Sequence, residues 1–141
     1  MFIHRLSVRF RDCDALGHVN NAVYFTYFEQ ARFHHWMSLG YDLRALPPGV
    51  PGFILARAEC DFEAQATYGD ELEVRLTVAA LGRTSFTYDY ELVNTATGER
   101  IASARSVQVC FDYATQTPVP IPEQLRARLR VRGTGASPAK E

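Results

Sequence analysis

No glycine or proline interrupts the run from Ala22 to Leu39, and this stretch constrains the fold more than any other part of the chain. A segment of that length without a breaker forms one helix of several turns. Asn20 and Asn21 precede it as natural caps, and Gly40 follows where a left-handed C-terminal residue is wanted. Its apolar residues, among them Val23, Tyr24, Phe25, Tyr27, Phe28, Ala31, Phe33, Trp36 and Met37, spread around much of the circumference. The expectation is a central helix largely enclosed by other structure, not a surface helix. At 141 residues the chain is long enough for one domain with a real core and too short for two.

The rest of the chain reads as strands. Leu6, Val8 and Phe10 alternate with Ser7, Arg9 and Arg11, which predicts a strand over Ile3 to Arg11 with one buried face. After the Pro- and Gly-rich stretch from Tyr41 to Gly52, Phe53 to Ala66 has strand character, and Leu72, Val74, Leu76 and Val78 alternate cleanly beyond a turn at Tyr68-Gly69-Asp70. Phe86, Tyr88, Tyr90 and Leu92 repeat the pattern, and Ile101 to Tyr113 supplies a last long strand. Joined most simply, these strands form an antiparallel meander. Pro122 to Arg130 predicts a short basic helix, and Val131 to Glu141 a mobile tail. The fold class is α+β with a single sheet, in one domain over residues 1–130. One helix cannot cover all the apolar surface of a sheet that long, so pairing with a second copy is expected.

Hydrophobic residues are 47% and charged residues 22% of the chain, so the fold comes from packing. A net charge of −1 gives no general attraction for nucleic acid or anionic lipid. Cys13, Cys60 and Cys110 show neither disulfide nor zinc-ligand spacing, and no metal or cofactor is expected. The first residues lack the apolar core of a signal peptide, and no stretch approaches a membrane span. The cytoplasm is the expected compartment.

Polar residues gather in one place, the loop from Asp12 to Asn21. It brings a carboxylate, Asp14, and an imidazole, His18, to the start of a buried helix, where unpaired backbone N–H groups carry the positive end of the helix dipole. Such a place stabilises an oxyanion. Acyl transfer needs a group that activates water or attacks directly, together with donors for the charge that grows on the carbonyl oxygen. Asp14 would be base or nucleophile, and the amides around Asn20, Asn21 and Ala22 the donors. By position alone, Asp12, Asn20 and Asn21 equally well serve as caps.

The run Arg11-Asp12-Cys13-Asp14-Ala15-Leu16-Gly17-His18-Val19-Asn20-Asn21, followed by Tyr24, Tyr27, Glu29, Ala31 and Arg32, resembles the signature of hotdog-fold thioesterases of the 4-hydroxybenzoyl-CoA thioesterase type. The order of strand, loop, helix, Pro/Gly loop and strands extends the resemblance to about Tyr113. It implies a long central helix wrapped by one antiparallel sheet and hydrolysis of acyl-CoA thioesters without cofactor. Carried over by position, the catalytic carboxylate is Asp14, the oxyanion donor is the backbone amide near Asn21, and His18 lies beside the centre, while Asp12 is structural. The His-Val-Asn-Asn form resembles the branch acting on fatty and other acyl-CoAs. The resemblance further implies a homodimer or dimer of dimers with sites at the interface. It also places the nucleotide of coenzyme A on basic and hydroxyl residues of a turn, here Arg83, Thr84 and Ser85.

Tyr24 is the aromatic residue expected to line the acyl pocket, because it lies nearest the helix start; Tyr27 and Phe28 suit core packing. Glu29, inside an apolar helix, is expected to be buried and paired with Arg32, Arg57 or Arg105, with a catalytic role as the alternative. His34 and His35 point to different sides of the helix and make no metal pair. Cys13, between two aspartates, is a poor nucleophile. Two other functions compete. A hotdog hydratase resembles Asp-x-Asn-Pro-x-His, and Ala15-Leu16-Gly17 stand where that pattern would need Asn-Pro. A non-catalytic acyl-binding module would not need a carboxylate at position 14.

Overall fold

A computed structural model describes residues 1–133. Its elements run β1 (Phe2–Ser7), a 3₁₀ turn (Phe10–Asp12), α1 (Asn21–Ser38), β2 (Gly52–Phe62), β3 (Glu71–Leu81), β4 (Ser85–Asn94), β5 (Arg100–Asp112), β6 (Thr117–Pro118) and α2 (Glu123–Gly133). The expected mobile tail falls largely outside the described residues, and its first three positions continue α2.

Both ends of α1 follow from their caps. Asn20 Oδ1 accepts the Ala22 N–H at 2.9 Å, satisfying one of the orphan donors of the first turn. At the other end the Tyr41 N–H reaches Trp36 O at 2.8 Å and the Gly40 N–H reaches Met37 O at 3.0 Å. That pair of bonds requires a left-handed residue, and Gly40 supplies it with φ +86°.

The strands form one antiparallel sheet in the order β1-β3-β4-β5-β2, with β6 added beside β5. Only β3, β4 and β5 form a meander. The expectation that β2 turns directly into β3 is corrected: β2 pairs with β5 at the far edge. The segment between them crosses the end of the sheet. Its Glu63 and Ala64 N–H groups donate to Ile101 O, Ala66 O accepts from Val19 N, and Asp70 O accepts from Val8 N. The turn at Tyr68-Gly69-Asp70 therefore steers this crossing into β3, and the crossing holds down the loop that precedes α1.

Two further expectations change. The first strand ends at Ser7, not Arg11, because the Asp12 carboxylate takes the Arg9 backbone N–H at 3.0 Å and curls the chain into the 3₁₀ turn. Phe10, placed by alternation on a buried face, is 78% exposed. The helix is not enclosed all round either. It buries the stripe Tyr24, Tyr27, Phe28, Ala31, Arg32, His35 and Trp36, the i, i+3, i+4 spacing of one face, while Phe25 and Met37 remain exposed. One sheet covers one side.

Against that stripe the sheet presents Leu72, Leu76, Phe86, Tyr88, Tyr90 and Leu92, all buried, as strand alternation predicts. Burying each such side chain is worth roughly 1.5–3 kcal/mol. The Phe28 and Tyr90 rings meet at 4.9 Å and those of Phe53 and Phe86 at 5.3 Å. Tyr88 Oη accepts from Trp36 Nε1 at 3.0 Å and lies 2.7 Å from His35 Nδ1, so these three polar groups are matched to one another inside the core. Leu125 and Leu129 of α2 close the core at the end away from the Asp12–Asn21 loop.

Candidate active site

The loop ahead of α1 is a small hairpin with a rigid base and an open tip. At its base Asp12 is buried. Its carboxylate accepts from the Arg9 backbone, from Arg9 Nη2 at 2.9 Å and from the Tyr27 hydroxyl at 2.8 Å. Burial opposes the Asp12 charge, yet the Arg9 side-chain and backbone donors, with Tyr27, outweigh it and hold the carboxyl pKa below its usual value. Asp12 O also accepts the Asn20 N–H at 2.9 Å, so this residue ties the entry of the loop to its exit and both to the helix.

At the tip, Cys13 and Val19 bridge across, Asp14 N donates to His18 O at 3.0 Å, and Gly17 N donates to Asp14 O at 3.0 Å. Gly17 takes φ +85°, which a side chain would strain. Asp14 is exposed. One carboxylate oxygen accepts the Leu16 N–H at 2.9 Å, and among the described residues the other has no partner. His18 is half-buried beside it. Asn21 opens the helix: Ala22 N is taken by the Asn20 side chain and Val23 N by the Asn20 carbonyl, whereas the Asn21 N–H has no acceptor among the described residues. A carboxylate with spare acceptor capacity and an uncommitted N–H at the positive end of a helix therefore share one hairpin.

The chain as a whole has counterparts among known proteins. Residues 8–129 match the family model described as the thioesterase-like superfamily. The chain belongs to that superfamily. It is 32% identical over 126 residues to a 1,4-dihydroxy-2-naphthoyl-CoA hydrolase of Synechococcus elongatus, a match covering 88% of this chain and 91% of that one. It is 25% identical to the acyl-CoA thioester hydrolase YbgC of Escherichia coli, covering 92% and 96%. Among solved structures, a thioesterase from Thermus thermophilus complexed with coenzyme A and Zn superimposes with a TM-score of 0.82 at 34% identity, covering 96% of each chain. The expected α+β hotdog architecture holds with this membership, as does the expected enzyme class, a thioester hydrolase.

The remaining candidate residues are scattered. Tyr24 lies inside the core, its ring 5.2 Å from that of Phe62 and 6.2 Å from that of Tyr27. Burial raises its hydroxyl pKa, with the Ala66 backbone working the other way. Arg83, Thr84 and Ser85 form the β3–β4 turn and are not beside Asp14. Gly82 N donates to Ser85 O, Ile121 N to Arg83 O and Cys110 N to Thr84 O, while Arg126 caps Gly82 O at 2.7 Å. The Asp14 hairpin sits where β3 begins, and the 11 residues of β3 put this turn about 30 Å away.

The expected burial of Glu29 is corrected. It is exposed, and none of its expected partners bonds it: Arg57 pairs with Glu59, Arg105 with Asp89, and Arg32 donates to the Tyr90 hydroxyl at 3.2 Å. Glu29 lies on the outward face of α1, which no element among the described residues covers. Of the histidine neighbours, His35 is in the core and His34 stacks on His4 at 4.5 Å. Two parts of the site escaped sequence reading. The Asp12–Tyr27 bond spans fifteen positions, beyond any local spacing rule. Arg9 falls within the alternation that predicts a strand, although its separation from Asp12 fits a turn. Among the described residues no His, Cys, Asp or Glu cluster has a metal-binding arrangement, and no helix is long and apolar enough to cross a membrane.

Proposed function

We propose that the protein hydrolyses acyl-CoA thioesters, with Asp14 as general base or nucleophile and the Asn21 backbone N–H as oxyanion donor. The observation that carries this reading is the presence in one hairpin of two unspent groups, the free Asp14 oxygen and the unbonded Asn21 amide at the helix start. The thioester carbonyl would sit over the helix start. Attack by water, activated by Asp14, or by the carboxylate itself forms the tetrahedral centre, and the N–H stabilises its oxyanion. With water attacking, collapse breaks the C–S bond and releases the coenzyme A thiolate with the acid. In the nucleophilic version, collapse releases the thiolate alone and leaves an anhydride at Asp14, which water then cleaves to the acid. His18 stands where it orients water or substrate. The names of the matched proteins, which act on CoA thioesters, support the carrier.

The site is completed by a second copy. Asp14 is exposed at the hairpin tip, apart from the clefts bordered by Asp61, by Arg32, by Arg57 and by Tyr113. The edge strand β2 is exposed over Leu55 to Glu59, with Phe25 and Phe62 also exposed nearby. Antiparallel pairing of β2 with its copy about a two-fold near Ala58 would set Arg57 of one chain opposite Glu59 of the other. Such pairing reverses the ends of the two sheets, so one chain's Arg83–Ser85 turn lies at the end that carries the other chain's Asp14. That arrangement supports a role for the turn in holding the nucleotide and for Tyr24 as backing to the pocket.

Thiol release from a panel of straight-chain and aromatic acyl-CoAs tests the reading. At least one is expected to be cleaved with a rate per chain that falls on dilution, more steeply after Arg57→Glu. No thiol from any of them would refute it.

A further inference from the structure

Arg32 and Glu29 carry opposite charges on α1, and neither has a counter-ion among the described residues. Arg32 is 6% exposed and makes no ion pair there, whereas buried Asp12 is matched by Arg9 and buried Glu73 by Arg5 and Arg75. Its one polar partner is the Tyr90 hydroxyl at 3.2 Å. Burial raises the pKa of that phenol, against the pull of Arg32, and keeps it neutral. A cation held this way is costly until an anion reaches it. Glu29 is the reverse case, an exposed carboxylate with no bonded partner among the described residues.

Arg32 opens between α1 and β2 into a cavity of about 20 Å³, bordered by Phe25, Phe28, Leu55, Ala58 and Tyr90. That is room for one carboxylate tip or one water, and for no larger ligand. Glu59 and Arg105 also border it, but Glu59 is bonded to Arg57 and Arg105 to Asp89. Phe25, Glu29 and Arg32 follow the i, i+4, i+7 spacing and share one side of the helix.

A two-fold through β2 near Ala58 passes beside α1 at this cavity and sets the second α1 antiparallel to the first, with no described element between them. The stretch from Phe25 to Arg32 centres between Phe28 and Glu29, so Glu29 of one helix stands about 6 Å along the axis from Arg32 of the other. Helical side chains lean toward their own helix start. In antiparallel helices that lean carries the two groups toward each other.

We propose that Glu29 of the partner subunit supplies the counter-ion of Arg32, in two symmetric contacts that join the α1 helices across the dimer. This rests on the β2 pairing above and adds a helix-to-helix contact that strand pairing does not require. It gives the exposed Glu29 and the buried Arg32 one shared purpose, and it fixes the angle between two helices whose starts carry Asn21.

Sedimentation equilibrium on wild type and variants tests it. Glu29→Gln is expected to raise the dimer dissociation constant at least about tenfold, and Glu29→Arg further, since it sets a second cation against Arg32. Arg32→Glu alone should also dissociate. An equimolar mixture of Glu29→Arg and Arg32→Glu chains should associate again, because both contacts of the mixed dimer pair opposite charges. Glu29→Gln protein that dimerises as tightly as wild type overturns the proposal, and that result does not depend on the folding of any Arg32 variant. So does a mixture of folded variants that stays monomeric. Wild type that is monomeric removes the β2 pairing as well, whereas a wild-type dimer indifferent to Glu29 removes only this contact. Thiol release judges the hydrolase reading separately.

Discussion

Asp12 and Asp14 are the same residue type two positions apart, and the hairpin uses them in opposite ways. At the base, Asp12 is buried and its acceptor capacity is spent on Arg9 and Tyr27. At the tip, Asp14 is exposed and keeps one oxygen free. A carboxylate saturated by donors fixes the chain; one left under-satisfied can take a proton or attack. The contrast teaches that the stiff base makes the open tip usable, because a water or carbonyl can be met only by a group whose backbone does not move.

Four experiments bear on that contrast. The largest effect is expected from Asp12→Ala, which leaves the Tyr27 hydroxyl without its buried acceptor and removes the clamp on Arg9. A loss of about 3 kcal/mol follows, near 10 °C in melting temperature by calorimetry. A melting temperature within a degree or two of wild type would mean that Asp12 is not the anchor. Tyr27→Phe removes one member of the same set and should cost about 1 kcal/mol, with hydrolysis reduced less than tenfold. Denaturant titration and a steady-state assay on the same sample would detect a larger loss of rate, which would move Tyr27 into the chemistry.

The third concerns acid. The pKa of Asp12 is depressed in the fold from an ordinary value of 3.8, so its stabilisation is complete above that pH and is lost as pH falls through the folded value. Asp12→Asn should flatten the stability–pH curve below pH 4, and an unaltered curve would contradict the assignment. The smallest effect belongs to His4, a buried residue of β1 stacked on His34 away from the hairpin. Burial first, then the neighbouring His34, lowers its pKa below 6.5, against a weaker upward pull from Gln30. Its contribution is present above pH 6.5 and shrinks as pH drops below it. His4→Phe should remove a shallow slope below pH 6.5 in chemical unfolding without touching the Asp12 limb.

Much of this molecule can be read from local pattern. Asn20 and Gly40 mark the helix ends because capping is a property of a few adjacent residues, and Phe86 to Leu92 mark β4 because alternation is. What could not be read depends on distant chain. Nothing local says that β2 leaves β3 for the far side of β5, since the Tyr68-Gly69-Asp70 turn looks alike in either topology. Phe10 fits a strand until Asp12 takes the Arg9 N–H. Glu29 reads as buried because the helix is apolar on many sides, yet its side of α1 faces no element among the described residues. The same reasoning separates the candidate residues: Asp14, His18 and Asn21 share one short hairpin and can be placed together from sequence, while the distance of the Arg83–Ser85 turn from them depends on which strands are neighbours.

The whole account stands on Asp14 being free for chemistry, and the direct measurement is thiol release by Asp14→Asn beside wild type, at equal folded concentration checked by circular dichroism. The predicted result is a fall in kcat of roughly two to four powers of ten with an unchanged melting temperature, because the lost oxygen carries rate and not structure. Hydrolysis at the wild-type rate, or a variant that fails to fold, would contradict it.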